Sequence, residues 1–479
     1  MTVIDRLEHS DAATSLRSES LAPALFDDIL ATIGNTPMVE LRNLDSGKCR
    51  LFAKLESQNP GGSIKDRIAL GMIRGAEADG RIAPGGTLVE ATSGNTGVGL
   101  ALAGAMKGYR VVIVIPDKMS QEKIYHLRAL GAEVIVTRSD VGPGHAEHYQ
   151  EMARRIAAET ENALYVNQHA NEFNPRTHEE WTGPEILSQM DNDLDAVVCG
   201  IGTGGTLTGV GRYMRRAAPG VEMVLADPQG SILVEYLDTG KLAEAGSWIV
   251  EGIGEDVLPP IGDLSLVDHA YTVTDADSLH AARELLQKEG IMGGSSTGTL
   301  LAAALRFCRE QDRPKRVVML VPDSGLKYLS KMYNDYWMTD QGFIERETFG
   351  DLRDLITRRH TERATVIAKP EDTLLVAYGR MKLYDVSQLP VLDAHGGVAG
   401  IIDESDILLK VFRDEEKFAD PVASAMTSKL ETIDAESPLE KLMPIFEHDR
   451  VAIVLQEGRF AGLITRIDLL NHLRRRLKQ

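Results

Sequence analysis

Residues 400-GIIDESDIL-408 and 462-GLITRIDLL-470 are two copies of one pattern, and the interval from Gly400 to Gly462 equals that from Asp406 to Asp468. An internal repeat fixes the architecture of the region that holds it before any finer reading. Upstream, 389-LPVLD-393 matches 450-RVAIVL-455, and 370-PEDTLLVAYGRM-381 matches 435-AESPLEKLMPIF-446. Each copy reads as strand–helix–strand–strand–helix, over 363–418 and 421–476. A unit that small buries its apolar face poorly alone, so the two are expected to pack as a pair.

The rest of the chain needs its own core. From 28 to 345, apolar runs alternate with amphipathic stretches such as 97-GVGLALAGAMKG-108 and 121-QEKIYHLRALG-131. The strand candidates are Leu51–Leu55, Thr87–Glu90, Val111–Ile115, Glu133–Thr137, Ala196–Cys199, Met223–Asp227 and Val317–Val321. Such alternation predicts an α/β fold of parallel sheets covered by helices, long enough here for two subdomains with a cleft between them. Residues 1–27 read as an irregular extension and the charged stretch 346–362 as a helical linker. A chain of 479 residues, 43% hydrophobic and 26% charged, suits a multidomain globular protein. The net charge of −19 argues against nucleic-acid or anionic-membrane partners, and 474-RRRLK-478 reads as a solvated helix end. No apolar run approaches the ~18 residues of a membrane span, and the N-terminal stretch has no apolar signal core. Cys49, Cys199 and Cys308, with no CxxC, give neither a disulfide framework nor a zinc site and point to a reducing, cytoplasmic setting. His145 and His148 have no accompanying carboxylate set; they read as a solvated helix face, and no metal is expected.

Four stretches carry chemistry. In 59-NPGGSIKDRIA-69, Ser63 and Asp66 have capping-box spacing, which puts Lys65 at the second position of a helix. An ammonium is disfavoured at that partly positive end, which gives Lys65 a reason to be an imine to an aldehyde cofactor. The turn 92-TSGNTG-97 can offer amides to a carboxylate and the Asn95 side chain to a ring oxygen, though a plain turn with an N-cap would look the same. The loop 200-GIGTGGTLTG-209 satisfies the dinucleotide fingerprint through Gly200, Gly202 and Gly205, with Glu222 downstream. It equally suits a phosphate monoester: the amides of Gly202, Thr203, Gly204 and Gly205 form a nest, and Thr203 and Thr206 add hydroxyls. In 289-EGIMGGSSTG-298 a serine can meet a ring nitrogen, or the small residues simply admit a close helix. Jointly these supply what a pyridoxal phosphate enzyme needs. A nicotinamide dehydrogenase would leave the first two stretches idle. A non-catalytic adenosine-nucleotide sensor built on the repeat would leave Lys65, Asn95 and Ser296 without a purpose.

With 32-TIGNTPMVEL-41, 59-NPGGSIKDR-67, 90-EATSGNTG-97, 200-GIGTGGTLTG-209 and 322-PDSG-325, the region 28–345 resembles the cysteine synthase and cystathionine β-synthase family of pyridoxal phosphate enzymes. The stretches 116-PDKMSQEKIYHLRALGAEVI-135 and 323-DSGLKYLSKMYNDYWM-338 look more like the cystathionine β-synthase branch, and the repeat resembles its paired CBS domains (a Bateman module). The resemblance implies a two-subdomain, fold-type II catalytic domain like the tryptophan synthase β-subunit. It implies a lyase-type β-replacement that condenses L-serine with L-homocysteine to L-cystathionine and water, in transsulfuration toward cysteine. Cysteine synthase (O-acetylserine sulfhydrylase) activity and hydrogen sulfide production are the rivals on the same scaffold. Matched by position, Lys65 is the Schiff-base lysine and general base. Asn95 meets the cofactor's 3′-oxygen; Gly202, Thr203, Gly204, Gly205 and Thr206 surround its phosphate; Ser296, ahead of Ser295, faces its ring nitrogen. Thr92, Ser93, Thr96 and Gln168 match the substrate carboxylate site, and Gly252, Ile253 and Gly254 its mouth. Some relatives hold haem through a Cys and a His in an N-terminal extension; residues 1–27 contain His9 and no Cys, so no haem is expected. The ribose pattern of the repeat survives in Thr465 and Asp468, whereas the first copy has Asp403 in place of the hydroxyl, so an adenosyl ligand is better provided for in the second copy. A homodimer or larger homo-oligomer is also implied.

Overall fold

The computed structural model describes residues 25–92, 94–117, 121–142, 144–448 and 450–477. Ser93, residues 1–24 with His9, and the side chains of the run 474–478 therefore lie outside the described residues. The chain forms two compact units, one ending at Leu329 and one beginning at Ser330.

The first unit contains β1 (Met38–Leu41), β2 (Arg50–Lys54), β3 (Thr87–Ala91), β4 (Arg110–Pro116), β5 (Glu133–Thr137), β6 (Ala163–Tyr165), β7 (Ala196–Cys199), β8 (Glu222–Pro228), β9 (His269–Val273) and β10 (Arg316–Leu320). One sheet has the order β5-β4-β3-β6 and is all parallel. The other has the order β1-β2-β10-β7-β8-β9 and is parallel except for β1 against β2. Strand β4 is buried at every position after Arg110, as a strand covered by helices on both faces must be. Separate cores form on the two sheets: Ile68, Leu88, Leu100 and Ile113 in one, Leu51, Val198, Met223, Phe307 and Val318 in the other. The two-subdomain expectation holds. The turn 92-TSGNTG-97 and the loop 200-GIGTGGTLTG-209 leave the C-terminal ends of the parallel strands β3 and β7, and the 322-PDSG-325 motif leaves that of β10, where ligands of open α/β sheets bind.

In the second unit, the first copy of the repeat supplies β11 (Gln388–Leu392) and β12 (Val398–Asp403). The second supplies β13 (Thr432–Asp434), β14 (Ala452–Gln456) and β15 (Arg459–Ile464). The leading strand of the first copy is reduced to one bridge, Ala368 with Val391. The copies share a cluster of Leu392, Ile453 and Phe460, so they do pack as a pair.

The helical expectation for 346–362 is corrected: this stretch makes only the short 3-10 turns Leu352–Leu355 and His360–Glu362. Its charged pattern hides three apolar anchors. Leu352, Leu355 and Ile356 are buried in the core of the second copy with Leu442, Phe446, Val454 and Ile464. Reciprocally, Val422 enters the core of the first copy with Leu374, Met381 and Leu389. The second copy is thus closed by the stretch that precedes the first, and the first by the opening residues of the second. Residues 330–345, expected with the catalytic domain, cluster with the second unit, and next to them Arg346 donates to the carbonyls of Ile356 at 2.8 Å and Thr357 at 3.2 Å. Among the described residues no helix is long and apolar enough to cross a membrane.

Candidate active site

Lys65 opens the helix Lys65–Ala78 as its first residue, not its second, and the expected capping box is absent. The turn at Gly61–Gly62, with Gly62 left-handed at φ +77°, brings the Gly61 amide over Asp66, whose carboxylate accepts from it. Asp66 thereby closes the Pro-Gly-Gly turn, and Ser63 Oγ accepts instead from the Lys65 amide at 3.2 Å. Burial lowers the Lys65 amine to about 8, outweighing Asp323 and Glu255, which favour the ammonium. One residue separates Lys65 from Arg67, which is fully buried and donates to Glu56 at 2.7 and 2.8 Å and to Glu185 at 2.6 and 2.8 Å. That network pins the first turn.

Asn95 starts the next helix, Asn95–Lys107, which packs on the first closely enough that a Cβ at Gly99 would lie 3.0 Å from the Lys65 carbonyl. Its Nδ2 donates to Asp323 Oδ2 at 2.8 Å. Thr92 and Thr96 are buried; Thr92 Oγ1 accepts from the Gly94 amide at 3.2 Å, and the Thr96 hydroxyl donates to Gln168 Oε1. The Gln168 amide in turn donates to the buried Glu90 at 3.2 Å, so the end of β3 holds the loop after β6.

The loop after β7 forms a closed cradle. Gly204 is left-handed at φ +86°, a Cβ at Gly205 would lie 2.0 Å from Asn174 Oδ1, and one at Gly202 would lie 2.5 Å from the Gly252 carbonyl. Gly205 begins a 13-residue helix, so its free amides and dipole face the cradle. Asn174 Nδ2 donates to Thr203 Oγ1 at 2.9 Å. His178, in a single π-helical turn, bridges Thr182 at 2.9 Å and Thr206 at 3.1 Å. Gly252 is left-handed at φ +87° and open around its Cα, while the Gly254 amide donates to the Ile201 carbonyl at 2.7 Å and ties the mouth to the cradle. Ser295 and Ser296 are both buried in the first turn of Ser295–Arg309. Ser295 Oγ accepts from the Glu251 amide at 2.9 Å, which gives that serine a place in the mouth loop and leaves Ser296 the better candidate for a ring nitrogen.

Two sequence readings are corrected. Glu222, the acidic partner of the dinucleotide fingerprint, pairs with Lys315 and lies 3.2 Å from His269 at the start of β8, the end of the strand away from the loops. His145 and His148 do not share a solvated helix face: both precede the helix Tyr149–Glu159, and His148 is buried with its ring 4.6 Å from that of Tyr149. Sequence reasoning gave no role to Asn174, His178, Glu90 or Lys327. Asp323 lay within a quoted motif but was given no role.

In the second unit, the Thr465 amide and hydroxyl donate to Asp468 Oδ2 at 2.8 and 2.6 Å, and the Thr357 hydroxyl donates to Oδ1. Asp403 instead caps the helix Glu404–Val411, accepting from the Asp406 amide at 2.8 Å.

A phosphorylated aldehyde fits the first unit. The glycine cradle is too tight for side chains and opens a helix, and the half-buried Lys65 amine is lowered from the ordinary 10.5 to about 8. Compared with known proteins, the family described as pyridoxal-phosphate dependent enzyme matches residues 29–323, and the CBS domain matches 352–413 and 422–475. The cystathionine beta-synthase of Mus musculus is 38% identical over 447 residues, 91% of this chain and 79% of that one. That of Saccharomyces cerevisiae is 34% identical over 501 residues, 93% and 97% of the two chains. Among solved structures, a hydrogen sulfide-producing enzyme from Fusobacterium nucleatum matches with a TM-score of 0.59 at 39% identity, over 64% of this chain and 100% of that one.

Proposed function

This chain belongs to the cystathionine beta-synthase family of pyridoxal-phosphate dependent enzymes, and on that premise we propose that it condenses L-serine with L-homocysteine to L-cystathionine and water, with Lys65 as the catalytic lysine. When bound, pyridoxal phosphate supplies the electron withdrawal that loosens the Cα–H bond of the amino acid. Lys65 holds the cofactor. With its amine at about 8, it then has a neutral fraction able to take the proton from the serine Cα. Thr92, Ser93, Thr96 and Gln168 orient the serine carboxylate. Gly202, Thr203, Gly204, Gly205 and Thr206 hold the phosphate, Asn95 the ring oxygen and Ser296 the ring nitrogen. Gly252 leaves the mouth open for the second amino acid. Ser296 carries no charge, so it does not enforce a protonated ring nitrogen, and this favours loss of the β-hydroxyl over transamination.

The observation that carries the reading is the half-buried Lys65, its amine lowered to about 8, opening a helix beside a cradle too tight for side chains. The test is to assay purified enzyme with serine plus homocysteine against O-acetylserine plus sulfide. The first pair should turn over faster, and K65A should lose both the activity and the visible absorbance of bound cofactor. A K65A protein that keeps its colour sinks the assignment. A second reading, sulfide-producing or cysteine-forming β-replacement, is favoured by the Fusobacterium likeness, and preference for the second pair would establish it.

The same reading includes a cytoplasmic protein without haem, in keeping with three free, buried cysteines. It includes a homodimer or larger assembly, supported by the apolar residues exposed on the second unit. An adenosyl ligand would be met in the second unit by Thr465 and Asp468.

A further inference from the structure

The residues matched to the family leave one cation of the site without a role. Lys327 lies in the 3-10 turn Gly325–Tyr328, directly after the 322-PDSG-325 motif. Its Nζ donates to Asn95 Oδ1 at 2.6 Å, to the Gly61 carbonyl at 3.3 Å and to the Gly62 carbonyl at 3.5 Å. An ammonium has three hydrogens and no lone pair, so these contacts saturate it. The other end of the same Asn95 amide is also held. Nδ2 donates to Asp323 Oδ2 at 2.8 Å, and that oxygen also accepts from the Tyr328 hydroxyl at 2.9 Å.

The Asn95 amide is therefore gripped between an ammonium and a carboxylate. Rotating it by half a turn would set NH2 against NH3⁺ and a carbonyl against a carboxylate, so the grip selects one face. It consumes one lone pair and one hydrogen, and leaves the second Nδ2 hydrogen unspent. The same ammonium stands on the carbonyls of the Gly61–Gly62 turn that leads into Lys65, and so joins the turn before one helix to the start of the next. We propose that Lys327 is a positioning residue of the reaction: with Asp323 it fixes the face of the Asn95 amide, so that the remaining N–H is presented to the cofactor's ring oxygen in register with Lys65. This rests on the assignment of Asn95 to that oxygen.

The test compares holoenzyme of the wild type, K327M, K327Q and N95A by the visible absorbance of the bound cofactor and by its release rate on dilution. K327M should shift the absorbance in the same direction as N95A and release the cofactor roughly 10-fold faster, the loss expected for a hydrogen bond from a charged donor. K327Q, which keeps an N–H for Asn95 Oδ1, should retain the wild-type spectrum. If K327M does not fold, K327A takes its place. A K327M enzyme with wild-type spectrum and release, while N95A is altered, overturns the proposal and leaves the Asn95 assignment standing. A K327Q enzyme as altered as K327M overturns it by showing that charge, not orientation, matters. An unaltered N95A enzyme overturns the Asn95 assignment and the proposal with it.

Discussion

The imidazole of His178 is fully buried, and burial, with the cations Lys65 and Arg67 nearby, holds its pKa well below the ordinary range. A neutral ring has one donor and one acceptor nitrogen, and here each meets a hydroxyl, Thr182 and Thr206. The ring thus fixes how the Thr206 hydroxyl points at the cradle without adding charge beside a phosphate. Replacing it with alanine removes a neutral hydrogen bond worth about 1 kcal/mol and loosens the turn behind it. Titration of apoenzyme with pyridoxal phosphate, followed by fluorescence, should show affinity for H178A reduced roughly 5- to 50-fold. Unchanged affinity would mean that the ring serves packing only. At this scale the sequence was legible where a residue's own chemistry sufficed. Lys65 and the glycines of 200-GIGTGG-205 declare themselves because backbone shape and an odd cation are local properties. Asn174, His178 and Lys327 act through partners distant in the chain, and no local pattern marks them.

At the scale of elements, the strands that were missed are all edges. β1 and β9 flank the larger sheet and β6 flanks the smaller, whereas the interior strands were all anticipated to within two residues at either end. An interior parallel strand is buried on both faces and shows an unbroken apolar run; an edge strand such as 38-MVEL-41 does not need one. The helix carrying Lys65 is held by a device equally invisible in its own segment, the Arg67–Glu56–Glu185 network. Burial pushes the Glu185 carboxyl up, but Arg67 and Lys54 outweigh it and leave the group at about 2 against an ordinary 4.5. A carboxyl lowered in the folded state stabilises fully above its unfolded value, and loses that contribution as pH falls from about 4.5 toward 2. Denaturant unfolding over that range should therefore show stability falling with acid, a single proton adding at most ~1.4 kcal/mol per pH unit. In E185Q the slope should be shallower and the starting stability lower, because Arg67 loses a buried partner. Parallel wild-type and E185Q curves would remove Glu185 from the account.

For the whole molecule, the repeat decides what the second unit leaves exposed. The stretch before the first copy closes the second, and the opening residues of the second close the first, so the apolar residues at 352–356 and at Val422 are spent within the pair. The helices Leu374–Tyr384 and Glu404–Val411 are different. They lie side by side, with the Lys382–Glu404 ion pair at 3.6 Å between them, and expose Leu383 by 76% and Leu409 by 83%, with Phe412, which follows the second helix, exposed by 77%. Apolar groups this exposed on neighbouring helices mark an association face more often than a solvated one. A second copy of the chain is the occupant that the homo-oligomer reading calls for, because a repeat pair that leaves one apolar face can cover it by symmetry. Sedimentation should find the wild type as a dimer or larger. The double variant L409E/F412E should shift it to smaller species, while keeping the colour of bound cofactor, since both positions lie in the second unit and the cradle in the first. A double variant with unchanged mass would show that assembly uses another surface, and would leave the exposed leucines to be explained by a different partner.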